Sequence, residues 1–271
     1  MKTIHYLFRL ILLIALVQSS FAQSGRRMVA EWEPVWGTLI RWPLGIPEDL
    51  VVELATDDSL YVLVESNYQR DQALATFGAW GVNLSNCRFL YAPTYSHWTR
   101  DWGPHYVFNE MGIASIADPV FDGYPWVPGC NQKDNQLHEN KYRTGKFGYE
   151  EDDAVNPILA DSFNCPVISL PIYLTGGNIM VDGHGTAVST HQMLDENIPL
   201  ANEDTFREMA EDSLGIDNYI IVDNPEEYGI QHIDCYAKFL DEETIMVKQV
   251  DDWHPEYACC EDLANKLSTE S

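Results

Sequence analysis

Positive charge is scarce in this chain. Sixteen lysines and arginines stand against 42 aspartates and glutamates over 271 residues, a formal net charge of −26. The acids are spread along the sequence rather than gathered into a tail. Such a field argues against a nucleic-acid partner and draws in cations, although solubility or a salty habitat accounts for the same surplus. Apolar runs long enough to span a bilayer are also missing. The run at 10–17 belongs instead to a leader, with Lys2 and Arg9 ahead of it and Ser-Ser-Phe-Ala behind it. Residues 1–22 are expected to be a signal peptide cleaved after Ala22, and the rest, 23–271, a single soluble domain that is secreted or periplasmic, with no membrane in the mature form.

Several catalytic signatures are absent too. There is no GxSxG elbow, no phosphate loop and no HExxH, so serine hydrolase, nucleotide and zinc-protease readings have no motif behind them. The acids at 150–153 lack the alternation and glycine of a calcium loop and are expected to be solvated surface. His184, His191 and Asp182 are not held together by a hairpin turn, and no metal or other cofactor is expected. Cysteines 87, 130, 165, 235, 259 and 260 follow no zinc spacing. Their even number in an exported chain permits disulfides, with one or two bridges at most and the remainder buried thiols. Cys235, Cys259 and Cys260 are expected in the core, the last helix burying Tyr257, Cys260, Ala264 and Leu267.

What is present is a 45% hydrophobic, 12% aromatic chain, ample for a packed core, in which one unit recurs. A helix, a strand, a loop and a two-stranded hairpin follow one another three times. The helices are expected at 69–80, 157–163 and 204–214, the strands at 88–92, 167–170 and 218–222, and the hairpins at 105–118, 179–190 and 235–250. Before them come a strand at 38–41, a helix at 47–55 and a strand at 59–65, and after them a helix at 254–267. A polar insertion covers 118–153. Turn chemistry supports the hairpins, above all Asp182-Gly183. Repetition of one unit implies packing about a common axis, so the three loops should converge.

Those loops hold the chemistry. WTRDWGP offers Asp101 between Trp98 and Trp102. LTGGN offers Asn178 after two glycines. GIQHID offers His232 and Asp234, which in an extended segment leave the same face. Two carboxylates, a histidine and an aromatic wall suit a flat cation, and a guanidinium fits best. Each feature has a plainer account: a structural His232–Asp234 pair, an Asp101–Arg100 pair, or a glycine turn needing only positive φ.

The segments EWEPVWGTLIRWP, WTRDWGP, GGNIMVDGHGT and IQHIDCYAKFLDEETIMV, in that order, resemble the agmatine deiminase and bacterial peptidylarginine deiminase family of guanidino-group modifying enzymes, over most of 30–257. The resemblance implies an α/β propeller of five ββαβ-type pseudo-repeats, whose C-terminal repeat is missing from this chain. It also implies that Asp101 and Asp234 hold the guanidinium by bidentate hydrogen bonds, that His232 is the general acid and base, and that Trp98 lines the slot. A cysteine thiolate would attack the central carbon and release ammonia, leaving a ureido product after hydrolysis. The nucleophile is expected in the missing repeat, so the chain as it stands would be inactive alone. The substrate expected is an arginine-containing peptide or a small guanidino amine such as agmatine. No basic residue lies at 101–132, so a clamp for an arginine's own carboxylate is not evident there. Two other readings stay open: a non-catalytic guanidinium-binding propeller, and a metal-dependent amidohydrolase using His232 and Asp234 as ligands.

Overall fold

The structure is a computed structural model that describes residues 25–124, 127–128, 149–198, 200–226 and 228–270. The expected signal peptide, most of the insertion and Cys130 lie outside the described residues.

Three sheets carry most of the core. Thr38–Arg41, Leu60–Val64 and Cys87–Tyr91 form a parallel sheet, and the helices Glu48–Asp57 and Asn67–Trp80 supply its crossovers. Leu60, Val62 and Val64 point into a cluster with Val51, Ala55, Ala73 and Phe77 of those helices. Here the strand's period of two meets the four-residue spacing of each helix. Local signals set the helix ends: Ser66 accepts from the Gln69 N–H at the start of the second helix, and Gly81 takes φ 78° after it.

A four-stranded sheet follows, in the order Arg27–Met28, His105–Phe108, Ala114–Val120, Val167–Tyr173. A three-stranded one joins Met180–Val181, Thr186–Thr190 and Asn218–Val222. In both, a hairpin is extended by a parallel strand delivered by a helix, Val155–Phe163 in one case and Glu203–Leu214 in the other. Phe206, Ala210 and Leu214, spaced four apart, are the buried stripe of the latter. Each expected hairpin turn is closed by an Asx side chain. Asn109 Oδ1 accepts from Met111 and Ile113 N–H, Asp182 Oδ1 from His184 and Thr186 N–H, and Asp241 Oδ1 from Glu243 N–H.

The expectation of a five-unit propeller is not met. The strands of the described residues fall into five separate sheets of two to four strands, and none closes on itself. The units that a propeller requires to be alike differ physically. The first sheet is all parallel, and Ala237–Phe239 with Ile245–Val247 is a bare hairpin. Val127–Pro128 with Tyr228–Gly229 is a short ladder between distant loops. An α/β architecture of several small sheets is what the chain builds.

Three local expectations are also corrected. The acids at 150–153 form a helical turn in which Asp152 is fully buried. Cys235 is exposed. The last helix, Tyr257–Glu270, buries Cys259, Cys260, Leu263 and Leu267, so its inward stripe is rotated from the expected one. Cys259 is disulfide-bonded, while Cys87, Cys165, Cys235 and Cys260 are free thiols. No helix among the described residues is long and apolar enough to cross a membrane.

Candidate active site

The WTRDWGP loop becomes a short helix, Thr99–Trp102, between a parallel strand and the first hairpin. Trp102 fixes it. Its ring is buried, its Nε1 donates to Ser96 Oγ at 3.2 Å, and its carbonyl accepts from Asn156 Nδ2 at 3.0 Å. The loop ahead of this helix is pinned by Asp152, whose carboxylate accepts from the Tyr95 and Ser96 N–H groups at 2.8 and 3.0 Å. Asp101 is thereby held 5% exposed. Arg100 does not neutralise it by direct pairing, because its guanidinium meets Glu31 at 2.7 Å.

Gly176–Asn178 is a single 3-10 turn. Neither Gly176 nor Gly177 has positive φ, so the glycines serve space rather than backbone conformation. A Cβ on Gly177 would stand 2.5 Å from His232 Nδ1, 2.7 Å from Asp101 Oδ1 and 3.1 Å from Asp234 Oδ2. The three groups thus close around one α-carbon. Asn178, 2% exposed, ties the turn to its neighbours: its Oδ1 accepts from Thr190 N and Oγ1 and from Ile233 N at 3.0, 3.1 and 3.3 Å. Its Nδ2 has no partner among the described residues.

His232 and Asp234 do not alternate along a strand. His232 is extended, and Ile233–Cys235 then coil into a 3-10 turn. Ile233, fully buried, plugs the turn into the core while Asp234 swings out beside Asp101. Upstream, Gln231 takes φ 57°, which a non-glycine residue adopts only under constraint. The constraint is mutual hydrogen bonding with Glu226: Glu226 N–H donates to Gln231 Oε1 at 3.0 Å, and Gln231 N–H donates to Glu226 Oε2 at 3.1 Å.

Electrostatics follow from this crowding. His232 Nδ1 lies 3.7 Å from Asp101 Oδ1. Burial lowers the imidazole's affinity for a proton, opposed by Asp101, and it stays below the usual histidine range. The Asp234 carboxyl is pushed up to about 6, by burial first and by the Asp101 charge second, against Arg100 and hydrogen bonds from Cys235. The thiol of Cys235, exposed as a residue, is still raised to about 11 by partial desolvation first and by Asp234 second.

Trp98 is 54% exposed, with its ring centroid 4.5 Å from that of His97. The ring that approaches His232 among the described residues is that of Tyr124, at 5.9 Å. Tyr124 donates its hydroxyl proton to Asp101 Oδ2 at 2.6 Å. Sequence reasoning passed over it, although a Gly-Tyr pair in an aromatic loop just after a site strand was a usable signal. Among the described residues no three His, Cys, Asp or Glu side chains form a metal-holding group.

Comparison with known proteins places this arrangement in a family. A family model described as Porphyromonas-type peptidyl-arginine deiminase matches residues 27–271. An agmatine deiminase of Stutzerimonas stutzeri is 25% identical over 256 residues, covering 88% of this chain and 65% of its own. The chain spans between 52 and 65% of the length of the curated relatives it matches. Among solved structures, an agmatine deiminase of C. jejuni is 17% identical with a TM-score of 0.67, covering 93% of this chain and 72% of its own. That of Enterococcus faecalis is 20% identical with a TM-score of 0.72, covering 92% and 68%. These structures share the fold. By the family match over nearly its whole described length, the chain belongs to the Porphyromonas-type peptidyl-arginine deiminase family.

Proposed function

We propose that the cluster around Gly177 binds a guanidinium group and serves the hydrolysis of its C–N bond, giving a ureido product and ammonia. One observation carries the reading: Asp101, His232 and Asp234 approach a single α-carbon from three loops. Two carboxylates converging beside one imidazole can accept the N–H groups of a flat cation, each as a charge-assisted hydrogen bond. Family membership and agmatine deiminase relatives support the same substrate class.

The residues divide the work by protonation. Asp101 and Asp234 hold the cation. His232, kept neutral by burial, suits a proton carrier near neutral pH. In the proposed sequence a cysteine thiol gives its proton to His232 as its sulfur forms an S–C bond to the central carbon. The C–N bond breaks as ammonia leaves with a proton delivered through His232. Water then attacks, His232 takes its proton, and the S–C bond breaks.

The free thiols among the described residues do not suit the first step. Cys235 at about 11 is almost wholly protonated at neutral pH, and burial raises Cys87, Cys165 and Cys260. We therefore assign the first step to none of these four thiols. The same observation favours a second reading, capture of the guanidinium without turnover. Export is part of the proposal and is supported by the leader at 1–22.

Calorimetric titration with agmatine and with a peptide carrying an internal arginine, beside a coupled ammonia assay, tests the site. Binding that weakens at least about tenfold in Asp101→Asn is expected, since a buried charge-assisted pair is worth about 1.5–3 kcal/mol. Ammonia release separates the first reading from the second. Absence of binding by either ligand, or equal binding by Asp101→Asn, overturns both.

A further inference from the structure

Tyr124 has no assigned part in guanidinium capture. Its hydroxyl lies 2.6 Å from Asp101 Oδ2. The other oxygen of the same carboxylate, Oδ1, faces His232 Nδ1 at 3.7 Å and the α-carbon of Gly177, where a Cβ would stand 2.7 Å from it. The ring is fixed independently of that hydrogen bond. Phe121, Tyr124 and Tyr149 form a triangle of edge-on contacts with centroids 5.5 to 5.6 Å apart. Gly123, at φ 102°, lets the Tyr149 ring press against the backbone, where a Cβ would meet it at 2.5 Å. Asp153 holds the segment from below, accepting the Phe121 N–H at 2.7 Å. Its neighbour Asp152 pins the Tyr95–Ser96 loop that leads to Asp101. One acidic helical turn thus spaces both the phenol and the carboxylate it serves.

We propose that Tyr124 is a positioning residue for guanidinium capture: it ties up Asp101 Oδ2, fixes the plane of the carboxylate, and presents Oδ1 beside Asp234 to the cation. The inference rests on the guanidinium reading above. A phenol suits the task because it donates a proton and is not easily ionised. Burial first, and then the Asp101 charge, raise the Tyr124 hydroxyl far above the ordinary tyrosine range, so it remains a donor. The charged and titratable groups around it are Asp101, Tyr149 and Asp152, with His232 against its ring.

Two carboxylates this close resist double ionisation, and a donor on Asp101 relieves the pair. Removing the donor should make the pair hold its proton more tightly. The test is Tyr124→Phe, which keeps the ring triangle. Carbon-13 NMR of the aspartate carboxyls reads the pair without any ligand, and calorimetry with agmatine reads capture. Expected are an upward move of the pair's upper midpoint by about one pH unit and about tenfold weaker agmatine binding at pH 7, with the melting temperature little changed. An unchanged carboxyl midpoint overturns the role of Tyr124 whatever the binding result. If the wild-type chain binds no agmatine while the midpoint moves, the guanidinium reading fails and the Tyr124–Asp101 coupling stands.

Discussion

Asp101 and His232 come from loops far apart in the chain and meet with Oδ1 and Nδ1 3.7 Å apart, each side chain 7% exposed. That gap is longer than a hydrogen bond. The two groups are close enough to feel one another's charge and are not satisfied by each other. Asp101 Oδ2 is taken by the Tyr124 hydroxyl at 2.6 Å, so Oδ1 is the oxygen that faces His232.

Gly177→Ala should abolish guanidinium binding while leaving the chain folded. The glycine is not in the left-handed region, so alanine brings no backbone strain. It brings a methyl group 2.5 Å from His232 Nδ1 and 2.7 Å from Asp101 Oδ1, where the ligand would lie. Overpacking of this kind costs about 1–3 kcal/mol. Calorimetry with agmatine and a thermal melt check the two parts separately. Undiminished binding would show that the ligand lies elsewhere.

Asp234→Asn should trade function for stability. The Asp234 carboxyl, at about 6 in the folded chain, sits above the unfolded value of about 3.9. A raised carboxyl binds its proton more tightly when folded, so stability falls as the pH rises from about 4 and the full penalty is present above about 6. The asparagine variant should melt higher than the wild type at pH 8, and the advantage should shrink through pH 6 and vanish below about pH 4. Agmatine binding by the wild type should fall as the pH drops through 6, as the second carboxylate is lost. Melts at pH 8 and pH 4, with calorimetry at pH 5 and 7, decide the point; a variant no more stable at pH 8 would refute the crowding of Asp234.

Much of the scaffold was legible in the sequence because local rules set it. Helix ends at Ser66, Gly81, Asn202 and Gly215 carry caps that sequence announces, and the hairpin at Asp182-Gly183 carries its turn. Asp101, His232 and Asp234 stood out in the sequence by residue type, and the structure brings them together. The reasoning failed where tertiary context decides. Period two predicts His232 and Asp234 on one face of a strand, yet Ile233 is drawn into the core and coils the backbone. Asp152 looks like surface in a run of four acids, but two backbone N–H groups reward its burial. Tyr124 has no signature until Asp101 is seen beside it. The propeller was what the family resemblance implied, while the rhythm of elements pointed only to a common axis, and rhythm does not set how sheets close.

His105→Phe should make the fold less sensitive to acid. His105 opens the first hairpin strand, 6% exposed, with Nε2 lacking a partner among the described residues. Burial first and then Arg100 lower its imidazole to about 4, from an ordinary 6.5. The unfolded chain therefore binds a proton that the folded chain refuses. Stability from this group is complete above about pH 6.5 and is lost as the pH falls toward 4, by about 3 kcal/mol at the lower end. His232 acts in the same direction, for the same reason of burial. Phenylalanine removes the titration at position 105 and fills similar space without a polar nitrogen. Wild type and variant should be similarly stable at pH 8 and diverge between pH 6.5 and 4, the variant holding the advantage. Urea unfolding at pH 8, 6 and 4.5 measures the divergence; parallel curves would show that His105 is solvated or paired in solution.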